Sequence, residues 1–155
     1  MQPFFEDYLL NLQELHNDII DSLKDLPLAA LEWSPAADMN SIDVLVVHTA
    51  GAQSFLIGEA VGGDPANRDR ETEFKVHGLD AEALTQRLNQ SLEYIRSVLE
   101  RLTFEDVSSL RDFRGRERSG VWILDHALKH TATHMGHIQL MRQLWKMYGE
   151  TARNP

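Results

Sequence analysis

The stretch Asp125-His126-Ala127-Leu128-Lys129-His130-Thr131-Ala132-Thr133-His134-Met135-Gly136-His137 holds four of the chain's seven histidines. At about 100° per residue, His126, His130 and His134 advance by only about 40° each around a helix, and His137 falls within the same arc. The polar face of that helix carries Asp125, Lys129, Gln139 and Gln143, and its centre lies almost opposite His134. Ile123, Ala127, Ile138, Met141 and Trp145 flank His134 on the inward side. The expectation is that His134 points towards the core and that His130 lies close beside it.

An unpaired buried polar group costs about 1–3 kcal/mol. Each inward histidine is therefore either satisfied by a neighbouring helix or water, or is a ligand. Two imidazoles at i and i+4 occupy adjacent turns of one face, where both can reach one ion, and for this pair both readings stand. The metalloprotease signature is absent, because Thr131 occupies the position where a general-base glutamate would follow the first histidine. No glutamate has histidine three residues later, which disfavours ferritin-like di-iron chemistry. A single-metal site with an open coordination position remains.

Outward from this helix, which starts near Ser119 and is ended by Gly149, three further segments carry helical periodicity. The first runs from about Pro3 to Leu26, with Phe5, Tyr8, Leu9, Leu12, Leu15, Ile19 and Leu23 spaced by three and four; Pro27 stops it. An irregular stretch, Leu28 to Met39, follows. A second helix begins after Asn40 or Ser41 and continues to Val61, where Gly62-Gly63-Asp64-Pro65 breaks it. Asp80 reads as the N-cap of a third, Ala81 to Leu102, burying Leu84, Leu88, Leu92, Ile95, Val98 and Leu99. Strand signals are poor, with room for a short hairpin in either long loop. The pattern is all-α, a four-helix bundle with uneven connections, with one domain over residues 1–150 and a C-terminal tail at 151–155.

The whole chain has 155 residues, enough for a single core without staples. It has no cysteine, which excludes disulfides, thiolate ligands and a protein-borne thiol nucleophile. A formal net charge of −9 argues against nucleic-acid partners. The basic cluster Arg111, Arg114, Arg116 and Arg118, interleaved with Asp112 and Glu117, reads as a solvated loop or as a source of an arginine for an anionic substrate group. No apolar stretch approaches the length of a membrane span, and the N-terminal residues are acidic where a signal peptide needs basic ones. The expected location is cytoplasmic.

His48 follows Val44-Leu45-Val46-Val47, the most apolar part of the second helix, and is either a packed oddity or a ligand. His16, beside Glu14, Asn17 and Asp18, reads as exposed; His77, in a loop before Gly78, reads as a rim residue. Burial favours His48 as a third ligand, although spacing does not show that it meets the pair. Trp33 reads as a cover for the end of the bundle, with substrate contact as the alternative. Trp122 and Trp145 read as packing against a neighbouring helix or a dimer partner, Phe55 and Tyr94 as core with a pocket border as the alternative, and Arg142 as an intrabundle or interface ion-pair partner rather than a catalytic group.

Trp33-x-Pro35, then Ser41-Ile42 opening the helix of His48, then His130-x-x-x-His134-x-Gly136 with His126 one turn upstream, resembles the DinB-like superfamily over nearly the whole chain. The resemblance implies an up-down-down-up bundle, frequent dimerisation into a homodimer, and a divalent metal, zinc or nickel, on His48, His130 and His134. His137 stands where many members have Gln; this Gly-His variant is similar to that near mycothiol-dependent maleylpyruvate isomerases. His126 and His137 are accordingly candidates for substrate contact, and His137 also for catalysis or for an alternative ligand. The resemblance implies transfer of a low-molecular-weight thiol such as bacillithiol, mycothiol or glutathione onto an electrophile. Metal-dependent hydrolysis and a non-catalytic binding scaffold are the alternatives.

Overall fold

In the computed structural model, which describes residues 1–65 and 67–149, four long helices carry the chain: α1 (Pro3–Leu23), α3 (Ile42–Gln53), α5 (Ala81–Arg101) and α7 (Gly120–Leu144). Short helical turns fill the connections, α2 (Leu28–Leu31), α4 (Arg70–Glu73) and α6 (Phe104–Ser108). A hairpin of β1 (Leu110–Asp112) and β2 (Glu117–Ser119) precedes α7. The tail expected at 151–155 lies outside the described residues.

The order of contacts gives the topology. Tyr8, early in α1, donates its hydroxyl to the Leu124 carbonyl, early in α7, at 2.9 Å. Arg142, late in α7, donates to the Ser22 and Lys24 carbonyls at the end of α1. These two helices are parallel. The guanidinium thus satisfies carbonyls left open where α1 stops, and among the described residues it makes no ion pair within the bundle. Ile42 and Val46, early in α3, share one core cluster with Leu84 and Leu88, early in α5, and with Ile138, late in α7. Leu56 and Ile57 share the other with Val98 and Leu99, late in α5, and Ile123, early in α7. Hence α3 and α5 run alike and opposite to α7, giving an up-down-down-up four-helix bundle.

Between the two apolar clusters each helix contributes one buried polar side chain: His16, Gln53, Ser91 and Thr131. The Gln53 amide lies at their centre, donating to Thr131 Oγ1 at 3.0 Å and accepting from Ser91 Oγ at 3.0 Å, with His16 Nε2 at 2.9 Å. His16 is therefore not exposed, as its charged sequence neighbours led us to expect, but only 1% accessible. Leu12 and Ile19, four before and three after it, lie on the same buried face.

Three local features stand out. The first helix ends at Leu23, three residues short of the expected end, where Asp25 turns into the left-handed region at φ 61. The second helix widens over Ser54–Glu59 into a π-helical stretch, with Ala60 N–H bonding to the Phe55 carbonyl and Gly62 N–H to that of Ile57, both at 2.9 Å. The hairpin turns at Arg114 and Gly115, both with positive φ (57 and 76), as a two-residue primed turn requires. No described helix is long and apolar enough to cross a membrane.

Candidate metal centre

Helix α3 is buried on every side from Ile42 to Ala50, being packed by α5, α7 and the turn α4. That explains an apolar run with no polar face, and it leaves His48 only 8% accessible. A histidine so placed needs a partner, and Glu73 supplies one. Its carboxylate, 6% accessible, accepts from His48 Nδ1 at 2.9 Å. Arg68 donates to the same carboxylate through Nε at 2.6 Å and Nη2 at 2.7 Å. Asp69 positions this segment by capping α4, its side chain accepting from Glu71 N–H and Thr72 N–H. The carboxylate rests against Gly51, where a Cβ would overlap Glu73 Oε1.

Facing His48, α7 presents His130 and His134, whose ring centroids each lie 5.1 Å from that of His48 and 4.4 Å from each other. One nitrogen from each of the three rings falls within 4.8 Å of the others, and among the described residues no other group of three His, Asp or Glu does so. His130 Nε2 and His134 Nε2 are 3.2 Å apart. Metal–nitrogen bonds of about 2.0–2.1 Å in a tetrahedral site place neighbouring nitrogens roughly 3.3 Å apart, so this pair already has ligand spacing.

The charge states agree. Burial, reinforced by His134 and His48, pushes His130 down to about 3; burial, reinforced by His48 and His137, pushes His134 down to about 4. Burial lowers His48 as well, against the opposing pull of Glu73. At neutral pH all three rings are uncharged, the state that ligates a cation. The Nδ1 of His130 is buried with no hydrogen-bond partner among the described residues. With Nδ1–H of His48 given to Glu73, its Nε2 is left to face the pair, the orientation a carboxylate imposes on a ligating imidazole. The three residues fit a divalent ion.

The inward direction of α7 differs from expectation. Thr131, not His134, occupies the centre of the buried stripe with Ile123, Ala127 and Ile138, while His130 and His134 are half-buried on its flank. The hydroxyl is tolerated there because it donates to the Ala127 carbonyl at 2.9 Å and accepts from Gln53. His126 stacks on Trp122, centroids 5.2 Å apart and planes at 9°, with its ring 6.4 Å from His130. His137 is exposed, its Nδ1 3.4 Å from His134 Nδ1. Trp33 packs edge-on against Trp145 at 5.8 Å in the core cluster around Ile19 and Leu23, and lines no cavity at the histidines. The irregular stretch carrying it packs on the core cluster of Ile19, Leu23 and Leu31. His77 is exposed and stands outside the group.

A cavity of about 390 Å³ opens beside the histidines, walled by His48, His126 and His130 and by Leu56. Its remaining wall is Arg68, Arg70 and Arg114. A larger cavity of about 790 Å³ lies between α3 and α5, bordered by Asp64, Arg87 and Tyr94; no histidine lines it. Arg68 and Glu73, which sequence reasoning missed, belong to the loop between α3 and α5 and carry no spacing signal. Gln53 had one, as an amide on an otherwise apolar helix.

The sequence pattern of the DinB superfamily matches residues 11–138. A conserved protein from Enterococcus faecalis superposes with a TM-score of 0.76 at 18% identity, covering 93% of this chain and 98% of that one. A DinB-like protein from Bacillus cereus superposes with a TM-score of 0.74 at 15% identity, covering 93% and 92%. No functionally curated protein matches the chain. These structures share the bundle, and the family pattern spans the helices that bring His48 to His130 and His134: the chain belongs to the DinB superfamily.

Proposed function

We propose that this is a divalent-metal protein that transfers a low-molecular-weight thiol to an electrophile, as an S-transferase or isomerase. The observation that carries the reading is the convergence of three neutral imidazoles backed by the buried Glu73 carboxylate. His48, His130 and His134 would hold zinc or nickel, with bacillithiol, mycothiol or glutathione as cosubstrate. A bound ion of this kind acts as a Lewis acid that lowers the pKa of a thiol or water. The chain's own residues do the rest. Glu73 fixes the tautomer of His48; His137, at 3.4 Å from His134, faces the nitrogen that does not meet His130. His126, held neutral by burial and by Arg114 and Lys129, forms part of the cavity wall. With no cysteine in the chain, the reacting sulfur arrives with the cosubstrate.

Metal-stripped protein, reloaded with zinc or nickel, is assayed with each of the three thiols and a probe electrophile. Turnover with one thiol, restored by metal and lost in His134→Ala, is expected; no metal-dependent turnover with any of them sinks the reading. Hydrolysis is less well supported, because the cavity wall offers no carboxylate as general base among the described residues. A non-catalytic scaffold is the answer if elemental analysis finds no metal and His130→Ala changes neither stability nor composition.

A further inference from the structure

In a chain of net charge −9, the cavity beside the histidines is walled by three arginines and, among the described residues, by no acid. The three arginines are not equally committed. Arg68 is mostly buried and gives two donors to Glu73. Arg70 and Arg114 are exposed at the cavity and make no ion pair with any described residue. Instead each lies over an aromatic face. The Arg70 Cζ is 4.9 Å from the Phe74 centroid, and the Arg114 Cζ is 5.5 Å from that of Phe55 and 5.1 Å from that of Phe113. A guanidinium over an aromatic face is attracted by the ring through its charge and keeps its N–H donors for an oxyanion.

The backbone supplies a second observation. Arg114 sits in the left-handed region at the tip of the hairpin, next to Gly115. Asparagine or glycine adopts that conformation readily, whereas a long side chain does so at a cost. Here an arginine stands where the turn favours a smaller residue, and its side chain reaches the histidine cavity.

We propose that Arg70 and Arg114 form an oxyanion clamp, so that the molecule entering this cavity is a small organic anion carrying a carboxylate or a phosphate. A volume of about 390 Å³ is in the range of small-molecule sites. The clamp deepens the functional reading above, and rests on it only for the statement that the bound anion is the substrate or cosubstrate of the metal centre.

The test uses calorimetry on metal-stripped protein, so that the arginines are read without the ion, and repeats it on zinc-loaded protein. Succinate, inorganic phosphate and the uncharged succinamide are the probes. Binding of at least one anion to the stripped protein is expected, with none of the diamide, and the tighter of the two anions identifies the oxyanion. Affinity falls about tenfold in Arg70→Gln and again in Arg114→Asn, as loss of one charge-assisted hydrogen bond gives. Arg114→Asn relaxes the turn, so weaker binding with an unchanged or higher melting temperature assigns Arg114 to the ligand and not to the fold. The clamp is overturned if neither anion binds stripped protein, if succinamide binds as well as succinate, or if either substitution leaves affinity unchanged. Because the readout needs neither metal nor thiol, failure of thiol transfer and failure of the clamp are separate results.

Discussion

The carboxylate of Glu73 serves two groups at once, accepting from His48 on one oxygen and from Arg68 on both. In Glu73→Gln the shape is kept and the anion lost, so His48 Nδ1 and Arg68 share one neutral amide oxygen in place of two charged ones and the hold on the imidazole weakens. Outer partners of this type are worth 10–100-fold in metal affinity. A zinc competition titration of Glu73→Gln is expected to show a loss of about that size, and unchanged affinity would remove Glu73 from the site. The histidines themselves predict a pH dependence. Folded values of about 3 for His130 and about 4 for His134 lie below the roughly 6.5 of an unfolded histidine. Between those values the unfolded chain binds more protons, so the contribution to stability is complete above about pH 6.5 and is lost as pH falls towards 4 and below. Urea midpoints of metal-free protein should decline from pH 7 to pH 4, less steeply in His130→Ala. A midpoint flat over that range, or an equal slope in the variant, contradicts the assignment. Of these residues, His130 and His134 were legible from helical spacing and the family resemblance, and His48 from its apolar neighbours and, more heavily, from the resemblance. Glu73 was not, because a long-range hydrogen bond made by a loop leaves no periodic trace.

Element boundaries were legible where a backbone rule acts locally: Pro3 opens α1, Asp80 caps α5, and Ser119 caps α7 by accepting from Trp122 N–H. The widening of the second helix over Ser54–Glu59 was not, since no proline marks it. The turn α4 and the helix α3 meet at Gly51, the one position on that face without a side chain to keep the Glu73 carboxylate away. Gly51→Ala pits the gain in helix propensity, about 1 kcal/mol, against displacement of a buried ion pair. Displacement dominates, and a net loss of about 1–3 kcal/mol is expected, of the size seen when cores are overfilled. Denaturant unfolding measures it; a stabilised variant would show that α4 moves aside without cost.

At the scale of the whole molecule, the apolar core is divided by the polar group of His16, Ser91 and Thr131 around Gln53, to which all four long helices contribute. The bundle itself was legible from four long segments of helical periodicity, but this polar group was not, because each member looks like an isolated polar residue until the helices are assembled. Gln53→Met, similar in volume, leaves three buried groups short of a partner and is expected to lower stability by about 2–4 kcal/mol. A loss under about 0.5 kcal/mol would mean that the group reorganises. Its position has one more consequence. Gln53 lies on α3 five residues after His48, and Thr131 follows His130 directly on α7. The bond between them works as a bolt through two neighbouring rods: it stops either helix from sliding along the other. The gap between imidazoles is thereby gauged by a pair that touches no ion, and loosening the bolt should speed metal release with every ligand still in place.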